Sequence, residues 1–133
     1  MRIENWPSAL IEFMEVRRAT PFQWGVSDCC LFAADAVQAI TGEDFAVHWR
    51  GKYSDARGAL EFIDEAGGVA NLIPHEFERI DPAFAQRGDV VLMKSDGRDV
   101  LGINLGGLLV GQGPDGLTFL PYDEALLAWK TAR

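Results

Sequence analysis

The stretch Pro21-Phe22-Gln23-Trp24-Gly25-Val26-Ser27-Asp28-Cys29-Cys30-Leu31-Phe32-Ala33-Ala34-Asp35-Ala36 decides how the chain is read. A turn carrying an aromatic pair and a glycine runs into Asp28, a good N-cap residue, and an alanine-rich helical pattern begins at once. Cys29 therefore falls in the first turn of a helix. Backbone N–H groups there have no intrahelical partner, and the helix dipole favours negative charge. A thiolate is negative, so a cysteine in this position can become more acidic and serve as a nucleophile. Whether it does depends on the rest of the chain supplying a base.

Working outward, the helix is expected to run from Asp28 to about Thr41, with Gly42 past its end. Before it, Pro7 to Arg18 reads as an amphipathic helix with Leu10, Ile11, Phe13 and Met14 on the apolar side. After it, Phe45 to Tyr53 is irregular. A third helix is expected from Ser54 to Ala66, buried through Ala59, Leu60, Phe62 and Ile63 and stopped by Gly67-Gly68. A short turn at Val69 to Ile73 and a connecting segment from Pro74 to Gln86 follow. The pattern then changes. Asp89–Lys94, Val100–Leu105, Leu108–Gln112 and Leu117–Leu120 read as strands separated by Gly-containing turns. Tyr122 to Lys130 reads as a last short helix, with Leu126, Leu127 and Trp129 inward. Helices first and an antiparallel meander second is an α+β arrangement, expected as one domain over residues 1–133.

Composition narrows the function. Hydrophobic residues make up 48% and charged residues 24% of the 133, so wholesale disorder is not expected. A net charge of −8 argues against a nucleic-acid footprint, which needs a basic stripe, and against docking on anionic membranes. No run is long enough to span a bilayer, and the N-terminus lacks the apolar core of a signal peptide. The two cysteines are adjacent, a spacing that disfavours a disulfide and matches no ordinary zinc pattern. No metal or cofactor is expected.

Three patterns together resemble the NlpC-type branch of the papain-like cysteine peptidases, bacterial and phage enzymes that cut peptidoglycan peptides. Trp24-Gly25 followed by Asp28-Cys29 looks like the nucleophile motif. Arg87-Gly88-Asp89-Val90-Val91 resembles the entry to the first strand. Val100-Leu101-Gly102-Ile103-Asn104-Leu105-Gly106 is similar to the strand that carries the catalytic histidine. The resemblance implies a papain-like fold, N-terminal helices packed on a small antiparallel sheet, with Cys29 at the nucleophile position. The family's histidine stands two residues before the glycine, where this chain has Val100. Its third polar residue stands twelve positions later, where this chain has Gln112. A closer variant, with Trp49-Arg50-Gly51 and Gly113-Pro114-Asp115-Gly116 added, resembles small proteins of prophage tail-gene clusters.

The remaining candidates follow from this frame. His48 and His75 are the only imidazoles; His48, in the loop after the cysteine helix, is the candidate substitute base. Asp99 alternates with Val100 along a strand and is expected to point the other way. Cys30, about 100° round the helix from Cys29, is expected in the core. Trp24, Asp28, Trp49 and Asn104 are candidate binding residues. The expected function is a tail-tip structural or adaptor protein on a degenerate peptidase fold, made in the bacterial cytoplasm and partnered by other phage tail proteins. The alternatives are an active cysteine peptidase or amidase with Cys29 as nucleophile, and a non-catalytic peptidoglycan-binding module.

Overall fold

Helix α2 (Cys29–Thr41) is the centre of the molecule; the computed structural model describes residues 1–132. It is apolar over most of its surface, with Leu31, Phe32, Ala33, Ala34, Ala36, Val37 and Ile40 all buried. Such a helix must be covered on both sides. Helix α1 (Trp6–Arg17) lies on one of them, inserting Leu10 and setting Phe13 against Phe32 at 5.5 Å between ring centres. A six-stranded sheet lies on the other. Asp35, the one polar break in the stretch from Cys29 to Val37, bridges Arg17 of α1 and Arg50 of the following loop, and Arg50 also binds Asp44 at 2.7 Å. Helix α3 (Ala56–Ala66) starts at Asp55, whose side chain accepts from the Gly58 N–H, and ends at Gly67.

The strands are β1 (Arg79–Ile80), β2 (Val90–Ser95), β3 (Arg98–Asn104), β4 (Leu108–Gln112), β5 (Leu117–Pro121) and β6 (Leu127–Trp129). The sheet order is β1-β6-β2-β3-β4-β5, antiparallel throughout. Val90, Leu92, Leu101, Ile103, Val110 and Trp129 face α2. Val91, Met93, Leu109 and Ala128 form a second cluster on the other face. Covering both faces explains the unbroken apolar run Val90-Val91-Leu92-Met93. Gly102 and Gly111 belong to this second face: a Cβ on either would lie within 2.8 Å of the Met93 methyl carbon, so their lack of side chains admits Met93.

The α+β class and the four-strand meander agree with the sequence reading, and the helices start and end within two residues of the expected positions. Several expectations fail. The segment from Tyr122 to Lys130 is no helix: Tyr122–Glu124 form a 3₁₀ turn and Leu127–Trp129 form β6. Strand β2 offers an open edge, and β6 fills it with Trp129 opposite Val90 and Leu127 opposite Leu92, while β1, inside the expected connecting segment, covers β6 in turn. Leu126, expected inside, is 49% exposed. Leu60 of α3 is likewise half exposed, because it borders a cleft instead of the core.

The Arg87-Gly88-Asp89-Val90 pattern anchors the chain's first residues. Asp89 is fully buried and accepts from Arg2, the Gln86 N–H and the Thr131 N–H. Gly88 has φ of 94°, and a Cβ there would lie 2.9 Å from the Arg2 guanidinium. No helix among the described residues is long and apolar enough to cross a membrane.

Candidate functional site

The turn before α2 is built on Asp28. One carboxylate oxygen caps the helix by accepting from the Leu31 N–H at 2.9 Å. The other accepts from the Gly25 N–H at 2.9 Å and from the Tyr53 hydroxyl at 2.8 Å. Gly25 has φ of 79° and backs directly onto the Tyr53 carbonyl, where no side chain fits. The Trp24-Gly25…Asp28 pattern is thus a knot in which three donors converge on one buried carboxylate. Asp28 is fully engaged in holding the turn.

This knot sets Cys29 at the first position of α2, partly exposed, with Cys30 buried behind it and the two sulfurs 3.9 Å apart. The hydrogen bond between the two thiols pushes the Cys29 pKa down. The Leu101 and Cys30 backbone N–H groups add to this, and together they outweigh burial and the negative Asp28, which push it up. Cys30 moves the opposite way, raised by that same hydrogen bond and by burial. Tyr53 is also raised, by burial first and then by the Asp28 charge.

A cleft of about 910 Å³ opens over this sulfur pair. Phe22 and Trp24, stacked edge to face at 4.7 Å, stand on its border, as do Leu60, Ile63 and Val69 from α3 and the turn after it. The β2–β3 hairpin brings charge to the rim through Lys94, Asp96, Arg98 and Asp99, with Lys94 and Asp99 paired at 2.7 Å. Gln112 belongs to the wall. Its Nε2 donates to the carbonyls of Thr20 at 2.7 Å and Gly113 at 2.9 Å, tying the turn before Cys29 to β4, while its Oε1 is buried without a donor.

The cleft brings together Cys29, Gln112, Trp24 and Asp28 from the expected set, with Cys30, Asp99 and Val100 also on its border, and leaves out His48, His75, Trp49 and Asn104. His48 is exposed on the loop after α2, and neither it nor the exposed His75 borders the cleft. Trp49 is buried in the core against Phe45 and Phe62, because the loop folds inward over α3. Asn104 lies at the far end of β3, where its side chain accepts from the Gly106 N–H at 2.6 Å and shapes the β3–β4 turn. Val100 borders the cleft at one end. It pairs across the sheet with Met93 and packs in the second cluster, while Leu101 faces α2 and lends its N–H to the Cys29 sulfur. Strand alternation then turns Asp99 to the cleft side, where Lys94 holds it.

Tyr53, the α3 residues and the hairpin charges other than Asp99 were not among the expected site residues. Tyr53 ends an irregular segment with no periodicity, and only the alternating charges of Lys94, Asp96, Arg98 and Asp99 on a turn offered a signal. Among the described residues, no group of three or more His, Cys, Asp or Glu side chains is arranged to hold a metal.

A sequence-family profile described as Domain of unknown function (DUF6950) matches residues 1–131. The chain belongs to that family. The match takes in all three helices, the whole sheet and every residue of the cleft, so the cleft is a feature within the family's domain. Comparison with curated proteins gives no match.

Proposed function

We propose that the protein is a non-catalytic adaptor of a phage or prophage tail tip, built on a degenerate papain-like domain of the NlpC type. Its cleft holds an extended segment of a neighbouring tail protein. The observation that carries this reading is a cleft of about 910 Å³ over Cys29 with no imidazole on its walls. Cleaving an amide requires a proton for the departing nitrogen, which the histidine of a Cys–His pair supplies. The groups present instead suit binding: an aromatic pair on one border and both signs of charge on the rim. Loss of a triad member costs several orders of magnitude in rate, whereas a binding cleft needs only shape and polar partners.

The test is tail assembly with wild-type and cleft-plugged chains. Leu60→Trp, at a half-exposed rim position, is expected to fold and to lose association with tails, while Cys29→Ala retains it. Tails that assemble normally without this chain, or with L60W incorporated like wild type, overturn the reading.

A second reading is favoured by the place of Cys29 at the cleft, with its thiol pushed toward the ionised form: a cysteine peptidase or amidase acting on peptidoglycan peptides. Release of new amino groups from purified peptidoglycan, abolished by Cys29→Ala, would replace the adaptor by the enzyme. Sedimentation with insoluble cell wall without such release would point to a peptidoglycan-binding module.

A further inference from the structure

The sheet is split where it borders the cleft. Strand β3 pairs with β2 along its length, from Arg98 opposite Ser95 to Ile103 opposite Val90. On its other side it pairs with β4 only at Ile103 and Asn104. From Gly102 back to Arg98 that side is unpaired, because Gly111 and Gln112 pair with β5 alone. The tip of β3 therefore has an open edge. Arg98, Asp99 and Val100, which carry it, border the cleft.

Register fixes which backbone groups that edge shows. Ser95 and Arg98 close a two-residue turn in which Asp96 and Gly97 take φ of 51° and 77°. The closing pair of such a turn exchanges both of its hydrogen bonds, so the Arg98 N–H and C=O point to β2. Direction alternates from there. The groups of Val100 point to β2, and those of Asp99 and Leu101 point away from it, into the gap left by β4. The far end of β3 keeps the same phase: the Asn104 N–H donates to Asp89 on the β2 side, and the Leu105 N–H to Leu108 on the β4 side. The Leu101 N–H is taken by the Cys29 sulfur. The Asp99 N–H and C=O have no partner among the described residues.

A hairpin tip that outruns its sheet is ordinary in open solvent, where charged side chains guard it. This one borders the same cleft as Phe22, Trp24, Ile63 and the half-exposed Leu60. The Asp99 carboxylate is already paired with Lys94 at 2.7 Å. The rung at Asp99 thus offers main-chain groups and nearby apolar surface, with its own charge neutralised.

We propose that β3 takes up an extended peptide as an added strand at Asp99, whose N–H donates to a carbonyl of the bound segment and whose C=O accepts one N–H from it. Main-chain bonds of this kind hold a strand, and the side chains that alternate along it give selectivity. The residue beside Asp99 shares its face of the sheet and turns an apolar side chain toward Leu60 and Ile63. The net charge of −8 favours basic residues flanking that anchor. Cys29, holding the Leu101 N–H, ends the addition after one rung. The inference rests on the adaptor reading: the occupant is the extended segment of the neighbouring tail protein.

The experiment compares Asp99→Pro with Asp99→Ala in tail assembly, beside Leu60→Trp. Both Asp99 variants lose the carboxylate, and only D99P loses the N–H, which the fold leaves unused. D99P is expected to associate with tails about five- to tenfold more weakly than D99A, the worth of one main-chain hydrogen bond. L60W lost from tails while D99P associates like D99A overturns strand addition and leaves the adaptor standing. L60W and D99P both associating like wild type overturn the two together. A second measurement needs no folded Asp99 variant. Short peptides are selected from a random library on the full chain, and those that L60W no longer takes up are methylated at one backbone nitrogen at a time. Binding is expected to fall at least about fivefold at a single position next to the apolar anchor. Tolerance at every position, equal loss at every position, or a library that yields no binder overturns the proposal. Self-association of the wild-type chain that D99P abolishes would give the edge to a second copy and overturn the tail segment as its occupant.

Discussion

Replacing Asp28 by alanine is expected to destabilise the protein by about 3–7 kcal/mol. The figure follows from what the carboxylate does. Loss of the helix cap at Leu31 costs about 1 kcal/mol. The Tyr53 hydroxyl and the Gly25 N–H then lose their acceptor in a largely buried turn, at about 1–3 kcal/mol each. Against a typical total of about 5–15 kcal/mol this is a large fraction. Urea unfolding followed by tryptophan fluorescence reads it directly: with a slope of about 2 kcal/mol per molar, the midpoint falls by about 1.5–3.5 M. Asp28→Asn keeps an oxygen for the Leu31 cap but sets an NH₂ against the Gly25 N–H, so it is expected to recover no more than half of the loss. Tyr53→Phe removes only the hydroxyl and should cost about 1–2 kcal/mol. The Asp28→Ala/Tyr53→Phe double-mutant cycle isolates their bond, expected at about 1.5–3 kcal/mol because the acceptor is charged. A D28A loss below about 1 kcal/mol, or a cycle additive to within roughly 0.5 kcal/mol, would refute the convergent knot.

Three further outcomes follow from the same geometry. Gly25→Ala combines a positive φ with a Cβ driven onto the Tyr53 carbonyl and should cost at least about 2 kcal/mol by the same unfolding assay. The Tyr53 hydroxyl has a raised pKa in the fold, so its stabilisation is complete below the free-tyrosine value near 10 and declines as pH rises toward the native value. Wild type should therefore lose stability above about pH 10 more steeply than Y53F, and parallel alkaline slopes would count against the Tyr53–Asp28 bond. Ala128→Asp places an unpaired carboxylate in the fully buried second cluster and should abolish cooperative unfolding, whereas a helix with that residue outside would tolerate it.

What could be read in advance had local causes. The start of α2 was legible because a cap residue, a helix-forming run and a terminal glycine are all set by neighbours in sequence. The β2–β3 hairpin was legible because Asp96-Gly97 supplies the two positive φ angles that such a turn requires. Strand β6 was not. Leu126, Leu127, Ala128 and Trp129 fit a short helix or a strand equally well, and the open edge of β2, far away in sequence, settled the matter. Trp49 shows the same limit from another side: a tryptophan in an irregular loop looks like a binding residue until the loop is seen folded against α3.

The sequence by itself determined that the chain is α+β, that a cysteine opens its central helix, and that no imidazole stands two residues before Gly102. Each rests on residue identity and short-range periodicity. Only the tertiary structure decided which face of the sheet Val100 takes, that Leu101 meets the cysteine through its backbone, and that Tyr53 closes the Asp28 knot. These depend on strand register and on contacts between residues dozens of positions apart. A register shift by one residue reverses every side chain along a strand, and neither composition nor local spacing carries that information.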